Sequence, residues 1–109
     1  MDKFEQQIGD YAFSLKYKAL AKDAIQTAKE RLLDSFAVSF AAYHESPVRA
    51  MRNFALSASA RKGATILGTK HKAPVDYAVV YLGTMIRALD WNDTYLNKEP
   101  GHPSDNIAT

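Results

Sequence analysis

The sequence predicts an all-α fold of four main helices followed by a polar loop, and three observations support this prediction. Apolar residues recur at the three- and four-residue spacing of helices. No strand pattern is sufficient for a sheet. Several helices are also more apolar than a free-standing four-helix unit should be. We therefore interpret residues 1–109 as the N-terminal portion of a larger helical domain, and as one domain at most.

The first two helices are predicted from their apolar faces. The first helix has one apolar face, formed by Phe4, Ile8, Tyr11, Ala12 and Leu15. The second helix is predicted over about Ala19 to Tyr43. Its second half, from residue 36 onward, is apolar nearly all round, which is typical of a helix that is buried on every side. Such burial needs more surroundings than a small bundle supplies.

The third and fourth helices begin at proline signals. Ser46-Pro47 predicts a hydroxyl N-cap followed by proline at the first helical position, with the third helix ending near Ala60. The run from 64 to 67 is too short for a helix and is either a short strand or an extended connector. The fourth helix begins at Pro74, and its inner stripe consists of Val75, Ala78, Val79, Leu82, Met85, Ile86 and Leu89. Gly83 within it indicates either close approach by a neighbouring helix or a simple helix defect.

Composition argues against several classes of function. The chain is 47% hydrophobic with a net charge of +2, and its basic residues are scattered, so neither a nucleic-acid partner nor another polyelectrolyte is expected. It has no cysteine, which excludes disulfides, thiolate zinc sites and cysteine-ligated iron–sulfur clusters in this portion. The N-terminus lacks the layout of a signal peptide, and no apolar run reaches the length of a membrane span. We expect a cytoplasmic protein without membrane attachment.

The polar loop that begins at Asp90 is the predicted functional region, since reactive groups often lie on loops held by a rigid scaffold. A carboxylate at the C-terminal end of a helix is disfavoured by the helix dipole, so Asp90 is either a solvated turn residue or an acid or base. If the fourth helix extends by one turn, Asp90, Asp93 and Thr94 share a face. The alternative for Asp93 is an Asx-turn.

His102 and the residues after it form the second part of this region. Gly101 and Pro103 flank His102 and are expected to hold its imidazole in one direction, and histidine is a side chain suited to proton transfer. The alternative is a surface histidine. The segment 104–106 resembles a helix N-terminus, whose free amides can seat an anion, although simple capping is an equal alternative.

A metal site is not expected in this region. The side chains of Asp90, Asp93, His102 and Asp105 supply oxygen and nitrogen ligands. Their spacing matches no common metal motif, and the group contains a single histidine. A glycine-rich phosphate loop is not found either.

Two motifs in the loop resemble one known family. Asp90-Trp-Asn-Asp-Thr94 followed by Gly101-His-Pro-Ser-Asp-Asn106 resembles the 2-methylcitrate dehydratase and cis-aconitate decarboxylase family, the MmgE/PrpD family, and is most like the dehydratases. The upstream segments 31–36 and 64–68 are similar to the start of this family as well. The resemblance implies a helical domain followed by a smaller α/β domain, in a considerably longer chain.

The resemblance also implies site residues. Asp90, Thr94 and His102 match catalytic positions of the family. The substrate-binding residues expected beside them are Asn92, Asp93, Ser104 and Asp105. A catalytic Lys and a second His of the family fall beyond residue 109, so the chain alone is expected to be inactive.

The implied function is a hydro-lyase that dehydrates 2-methylcitrate to 2-methyl-cis-aconitate in the methylcitrate cycle of propionate breakdown. The family works without an iron–sulfur cluster, so no cofactor is expected. The expected partners are a small tricarboxylate substrate and a second copy in a homodimer. The alternatives are a decarboxylase or isomerase of a related tricarboxylate, and a non-enzymatic helical interaction module.

Overall fold

The structure is a computed structural model that describes residues 2–109 and confirms the predicted helical architecture. The four helices are α1 (Lys3–Ser14), α2 (Lys22–Ala41), α3 (Ser46–Ser57) and α4 (Val75–Arg87). Two short strands, β1 (Ala64–Thr65) and β2 (Lys72–Ala73), form a small antiparallel pair between α3 and α4. Single 3-10 turns lie at Tyr17–Ala19, Ala42–His44 and Pro103–Asn106. Within residues 2–109, no helix is long and apolar enough to span a membrane.

The helix boundaries differ from the predictions where local hydrogen bonds decide them. The N-terminus of α1 is held by a capping box between Asp2 and Glu5, in which each side chain accepts from the other residue's backbone N–H. The predicted second helix is shorter than expected, because its two ends are 3-10 turns. The N-cap of α3 is Glu45 and not Ser46, whose hydroxyl makes no capping bond. Ser46 is instead the first helical residue, so Pro47 is the second helical residue, whereas the sequence predicts it as the first.

The core lies between α3, α4, the strand pair and the C-terminal end of α2. Its buried cluster consists of Ala42, Val48, Ala55, Ile66, Ala73, Tyr81 and Met85. Tyr81 is not part of the predicted α4 stripe, and Val75, which is part of it, is exposed. The Tyr81 hydroxyl donates to the carbonyl of Leu67 at 3.0 Å. Burial raises the pKa of Tyr81, so the phenol stays protonated and keeps this bond.

The N-terminal part of the chain is largely uncovered. No residue of α1 is buried, and this helix packs against no other element among residues 2–109. On α2, Phe36 and Phe40 are exposed although Val38 and Ser39 are buried. The predicted burial of the second half of α2 on every side is therefore wrong for this chain by itself. Helices with uncovered apolar faces are typical of part of a larger domain.

The turn regions use glycine where a side chain does not fit. Gly63, just before β1, has a φ of 138°, and a Cβ placed there would lie 2.0 Å from the carbonyl oxygen of Ala73. Gly83 is different, because its nearest neighbour would be the Cβ of Ala108 at an ordinary 3.8 Å. The segment that lies close to Gly83 is therefore the C-terminal segment around Ala108 and not a neighbouring helix.

We expect Gly63→Ala to destabilise the chain by about 1–3 kcal/mol from the strained φ alone. The clash with a backbone oxygen should add to this loss. The free energy of unfolding in urea measures this loss. Gly9→Ala is the control: Gly9 lies inside α1 with open space around its Cβ position. That substitution should change stability little or raise it by up to about 1 kcal/mol. A stable Gly63→Ala variant would contradict the geometry of the strand pair.

Candidate functional site

The polar loop begins with a break in the backbone direction at Asp90. Helix α4 ends at Arg87, and Asp90 is the one non-glycine residue with positive φ, 53°, among residues 2–109. Aspartate tolerates this left-handed conformation better than most residues, at a cost of about 1–3 kcal/mol. The helix therefore does not extend by another turn. The condition under which Asp90, Asp93 and Thr94 would share a helical face is therefore not met.

Arg87 brings together two of the predicted site residues. Its Nη2 contacts Asp90 Oδ1 at 2.5 Å, and its Nε lies 3.4 Å from Asp105 Oδ1. The Asp90 side chain is 71% exposed, so this ion pair contributes at most about 1 kcal/mol to stability. Its main effect is orientation, because one guanidinium contacts both the carboxylate of Asp90, which follows α4, and the carboxylate of Asp105 in the last 3-10 turn.

Asp93 organises a second group of residues. Its side chain is 1% exposed, and Oδ1 accepts a hydrogen bond from the backbone N–H of Ser104 at 3.2 Å. The backbone carbonyl of Asp93 lies 2.7 Å from Nδ1 of His102. A carbonyl oxygen can only accept, so Nδ1 of His102 carries the proton. In the neutral imidazole, Nε2 then holds the free lone pair and is the atom that can take up a proton.

The loop between these contacts is closed by backbone pairing. Tyr95 and Gly101 exchange two hydrogen bonds, with N···O distances of 2.8 and 3.1 Å. Together with the contacts of Asp93, they make residues 93–104 a compact loop whose two ends lie side by side. We call these residues the 93–104 loop. The closed loop holds the His102 ring in one direction, as the sequence predicts. The hydrogen bonds of Asp93 and of the Tyr95–Gly101 pair contribute to this, and not only the flanking glycine and proline.

The predicted anion seat at residues 104–106 is occupied by the chain itself. These residues belong to a single 3-10 turn with His102 as its N-cap, and the Ser104 side chain makes no capping bond. The amide of Ser104 donates to Asp93, and the amide of Asp105 donates to the carbonyl of His102 at 3.0 Å. The prediction that Ser104 caps a further helix is therefore wrong. The carboxylate seated at this turn is that of Asp93.

The remaining predicted residues are placed differently. Thr94 is exposed. Both amide atoms of Asn92 and the hydroxyl of Ser104 are buried, and they have no hydrogen-bond partner within residues 2–109. The structure thus forms two groups, Asp90 with Asp105 on Arg87, and His102 with Ser104 on Asp93. Over the same residues, no three acidic or histidine side chains come together in a way that can hold a metal ion.

A groove of about 700 Å³ runs beside the loop along α2. The 93–104 loop contributes Tyr95 and Pro103 to its walls, Ile107 lies just after that loop, and α2 contributes residues from 23 to 32. Asp90, Thr94 and His102 do not line it. The groove is mostly apolar, so it resembles an uncovered packing surface more than a site for a polyanion.

Comparison with known proteins identifies the family. The profile of the MmgE/PrpD N-terminal domain matches residues 6–109, which is nearly the whole chain. The chain belongs to the MmgE/PrpD family. No solved structure matches it significantly.

The MmgE/PrpD chain has relatives named for one activity. It is 32% identical over 106 residues to the 2-methylcitrate dehydratase of Salmonella typhimurium, a match that covers 95% of this chain and 22% of that protein. It is 33% identical over 109 residues to the 2-methylcitrate dehydratase-like protein oryR of Aspergillus oryzae, covering 97% and 22%. A shorter match, 49% over 45 residues, covers 41% of this chain and 9% of the 2-methylcitrate dehydratase of Cupriavidus necator. The chain therefore spans about a fifth of the length of these relatives.

The sequence of this MmgE/PrpD domain does not point to Arg31. Its side chain on α2 is 46% exposed, yet its Nε lies 3.9 Å from Asp93 Oδ2. The two residues are far apart in sequence, so no local pattern could indicate the contact. The one available signal was that the segment 31–36 resembles the start of the family.

Proposed function

We propose that this chain is the N-terminal helical portion of a 2-methylcitrate dehydratase-like hydro-lyase that converts 2-methylcitrate to 2-methyl-cis-aconitate and water in the methylcitrate cycle of propionate breakdown. The observation that carries the proposal is the orientation of His102. Its Nδ1 is held by the Asp93 carbonyl, so Nε2 is left free for proton transfer. The names of the relatives supply the substrate class.

The chemistry of dehydration fits these residue types. One base removes a proton from the carbon next to a carboxylate, and one acid protonates the hydroxyl that leaves from the adjacent carbon as water. His102 and Asp90 are proposed to divide these two roles. Thr94, whose side chain is exposed at the start of the loop, is proposed to position a substrate carboxylate or hydroxyl. No cofactor takes part in the proposed reaction.

The negative charge of the loop supports the proposal that residues elsewhere in the polypeptide contribute cations to the site. Residues 90–109 contain Asp90, Asp93, Glu99 and Asp105 against a single lysine, Lys98, and the nearby Arg87 is already paired with Asp90 and Asp105. A tricarboxylate that gains negative charge in the transition state needs cations or amides around it. The amides of Ser104 and Asp105 are already used within the chain. We therefore propose that later residues complete both the domain and the site, and that the isolated chain is inactive. A homodimer stays a prediction.

An assay of the full-length polypeptide and of residues 1–109 tests the proposal. With 2-methylcitrate, the full-length protein should form 2-methyl-cis-aconitate, and the 109-residue chain should form none above the uncatalysed rate. Absorbance of the new double bond follows the reaction, and mass spectrometry identifies the product. Turnover by residues 1–109 would contradict the missing-cation argument, and a full-length protein inactive on 2-methylcitrate would remove the substrate assignment.

The same assay separates the alternatives. Release of carbon dioxide instead of water from a related tricarboxylate identifies a decarboxylase, and an isomer of unchanged mass identifies an isomerase. A non-enzymatic interaction module is distinguished by Asp90→Asn and His102→Asn, which should leave its partner binding intact, whereas in a lyase they should lower turnover by orders of magnitude.

A further inference from the structure

We propose that Asp93 is a positioning residue, not a substrate ligand: it holds the 93–104 loop closed by a hydrogen bond and thereby fixes the direction and the tautomer of His102. This inference rests on the proposed function where it concerns turnover. Its structural part, the state of the His102 ring, is independent of the reaction. It replaces the sequence-based expectation that Asp93 binds substrate.

The geometry gives one residue two contacts with the far end of the loop. The side chain of Asp93 accepts from the amide of Ser104, and its main chain accepts from Nδ1 of His102. The Asp93 side chain therefore cannot move away without also loosening the backbone that holds the imidazole. Since the second contact uses a backbone carbonyl, a side-chain substitution leaves its chemistry unchanged and alters only its position.

Burial argues against a direct contact of Asp93 with substrate. The side chain is 1% exposed, whereas Asp90 and Asp105 are largely exposed. A buried carboxylate facing a tricarboxylate would also bring like charges together in a medium of low dielectric. The carboxylate that the loop buries is thus the one that the chain uses for its own structure.

The Arg31 contact is the weaker of the two side-chain contacts of Asp93. Its N–O distance is 3.9 Å, too long for a hydrogen bond, and the Arg31 side chain is 46% exposed. An ion pair of this kind is screened by water and contributes little. The hydrogen bond to Ser104 should therefore dominate, and the position of the acceptor oxygen should matter more than the negative charge.

Two substitutions separate position from charge. Asp93→Asn keeps an acceptor oxygen at the same place and removes the charge, whereas Asp93→Glu keeps the charge and moves the acceptor by one methylene. We expect the full-length Asn variant to retain kcat within about threefold. The Glu variant should lose kcat by about 10- to 100-fold with KM changed far less, because general acid–base catalysis depends on placement. Asp34→Asn and Asp34→Glu are the matched controls, since Asp34 is an exposed residue of α2.

The ring of His102 supplies a readout independent of turnover. Nitrogen NMR of selectively labelled histidine should show the proton on Nδ1 in the wild type and in Asp93→Asn, and a mixture of tautomers in Asp93→Glu. A Glu variant that matches or exceeds the Asn variant in kcat and keeps the Nδ1 proton overturns the proposal. If Asp93→Glu does not fold, the Asn variant decides: loss of its kcat or of its Nδ1 proton overturns the proposal. An inactive wild type with the expected tautomer would refute the proposed function and leave the positioning role standing.

Discussion

His102→Asn should lower kcat/KM of the full-length lyase by about 100- to 10,000-fold, the contribution expected of a positioned acid or base. Asparagine is the informative replacement because its amide nitrogen takes the place of Nδ1 and can still donate to the Asp93 carbonyl. The variant therefore keeps the contact that holds the loop and loses the titratable nitrogen. Steady-state kinetics with 2-methylcitrate across pH measures the loss, together with the disappearance of any pH dependence that belongs to the imidazole.

The matched control for this prediction is His71→Asn. His71 is exposed beside the strand pair and is remote in sequence from the polar loop. Its substitution should therefore leave kcat/KM unchanged. Retention of normal turnover by His102→Asn would show that His102 does not transfer protons. Equal losses in the two histidine variants would attribute the effect to folding and not to chemistry.

Met85→Ala should have the largest effect on stability, a loss of about 2–5 kcal/mol in the free energy of unfolding. Met85 is 0% exposed and, like Tyr81, is an α4 residue that belongs to the buried core cluster. Removing most of its side chain leaves a cavity that neighbouring helices cannot fill without shifting. Urea unfolding of the 109-residue chain, followed by circular dichroism, measures the change.

Leu96→Ala is the control for this substitution. Leu96 is 81% exposed within the 93–104 loop, so its loss should change stability by no more than about 0.5 kcal/mol. A Met85→Ala variant as stable as the wild type would contradict the packing of α4 against α3. The pair compares two large apolar residues that differ in burial.

Much of the fold could be predicted from the sequence, because helix periodicity is a local property. The stripe of α4 predicts Ala78, Met85 and Ile86 as buried, and the structure confirms all three. Tyr81 was missed because its hydroxyl needs a partner, the Leu67 carbonyl, that only the tertiary structure supplies. The partner strand of residues 64–65 was missed since two residues carry no detectable alternation.

The candidate site was predictable in composition but not in arrangement. The two motifs identified the loop and its family, which the match over residues 6–109 confirms. They did not show that Asp90 adopts a left-handed conformation, which ends the helix and separates it from Asp93. Nor could they show that Asp93 is buried by contacts with Ser104 and Arg31, because the alternation of polar residues in a loop carries no information on burial.

The uncovered α1 and the exposed phenylalanines of α2 have a consequence for biosynthesis. In a polypeptide of the relatives' length, these residues leave the ribosome while about four fifths of the chain is still to be translated. At roughly 5–20 residues per second, their apolar side chains would then stay exposed to solvent for tens of seconds. In such a polypeptide, we expect chaperones to bind these nascent helices until later residues cover them.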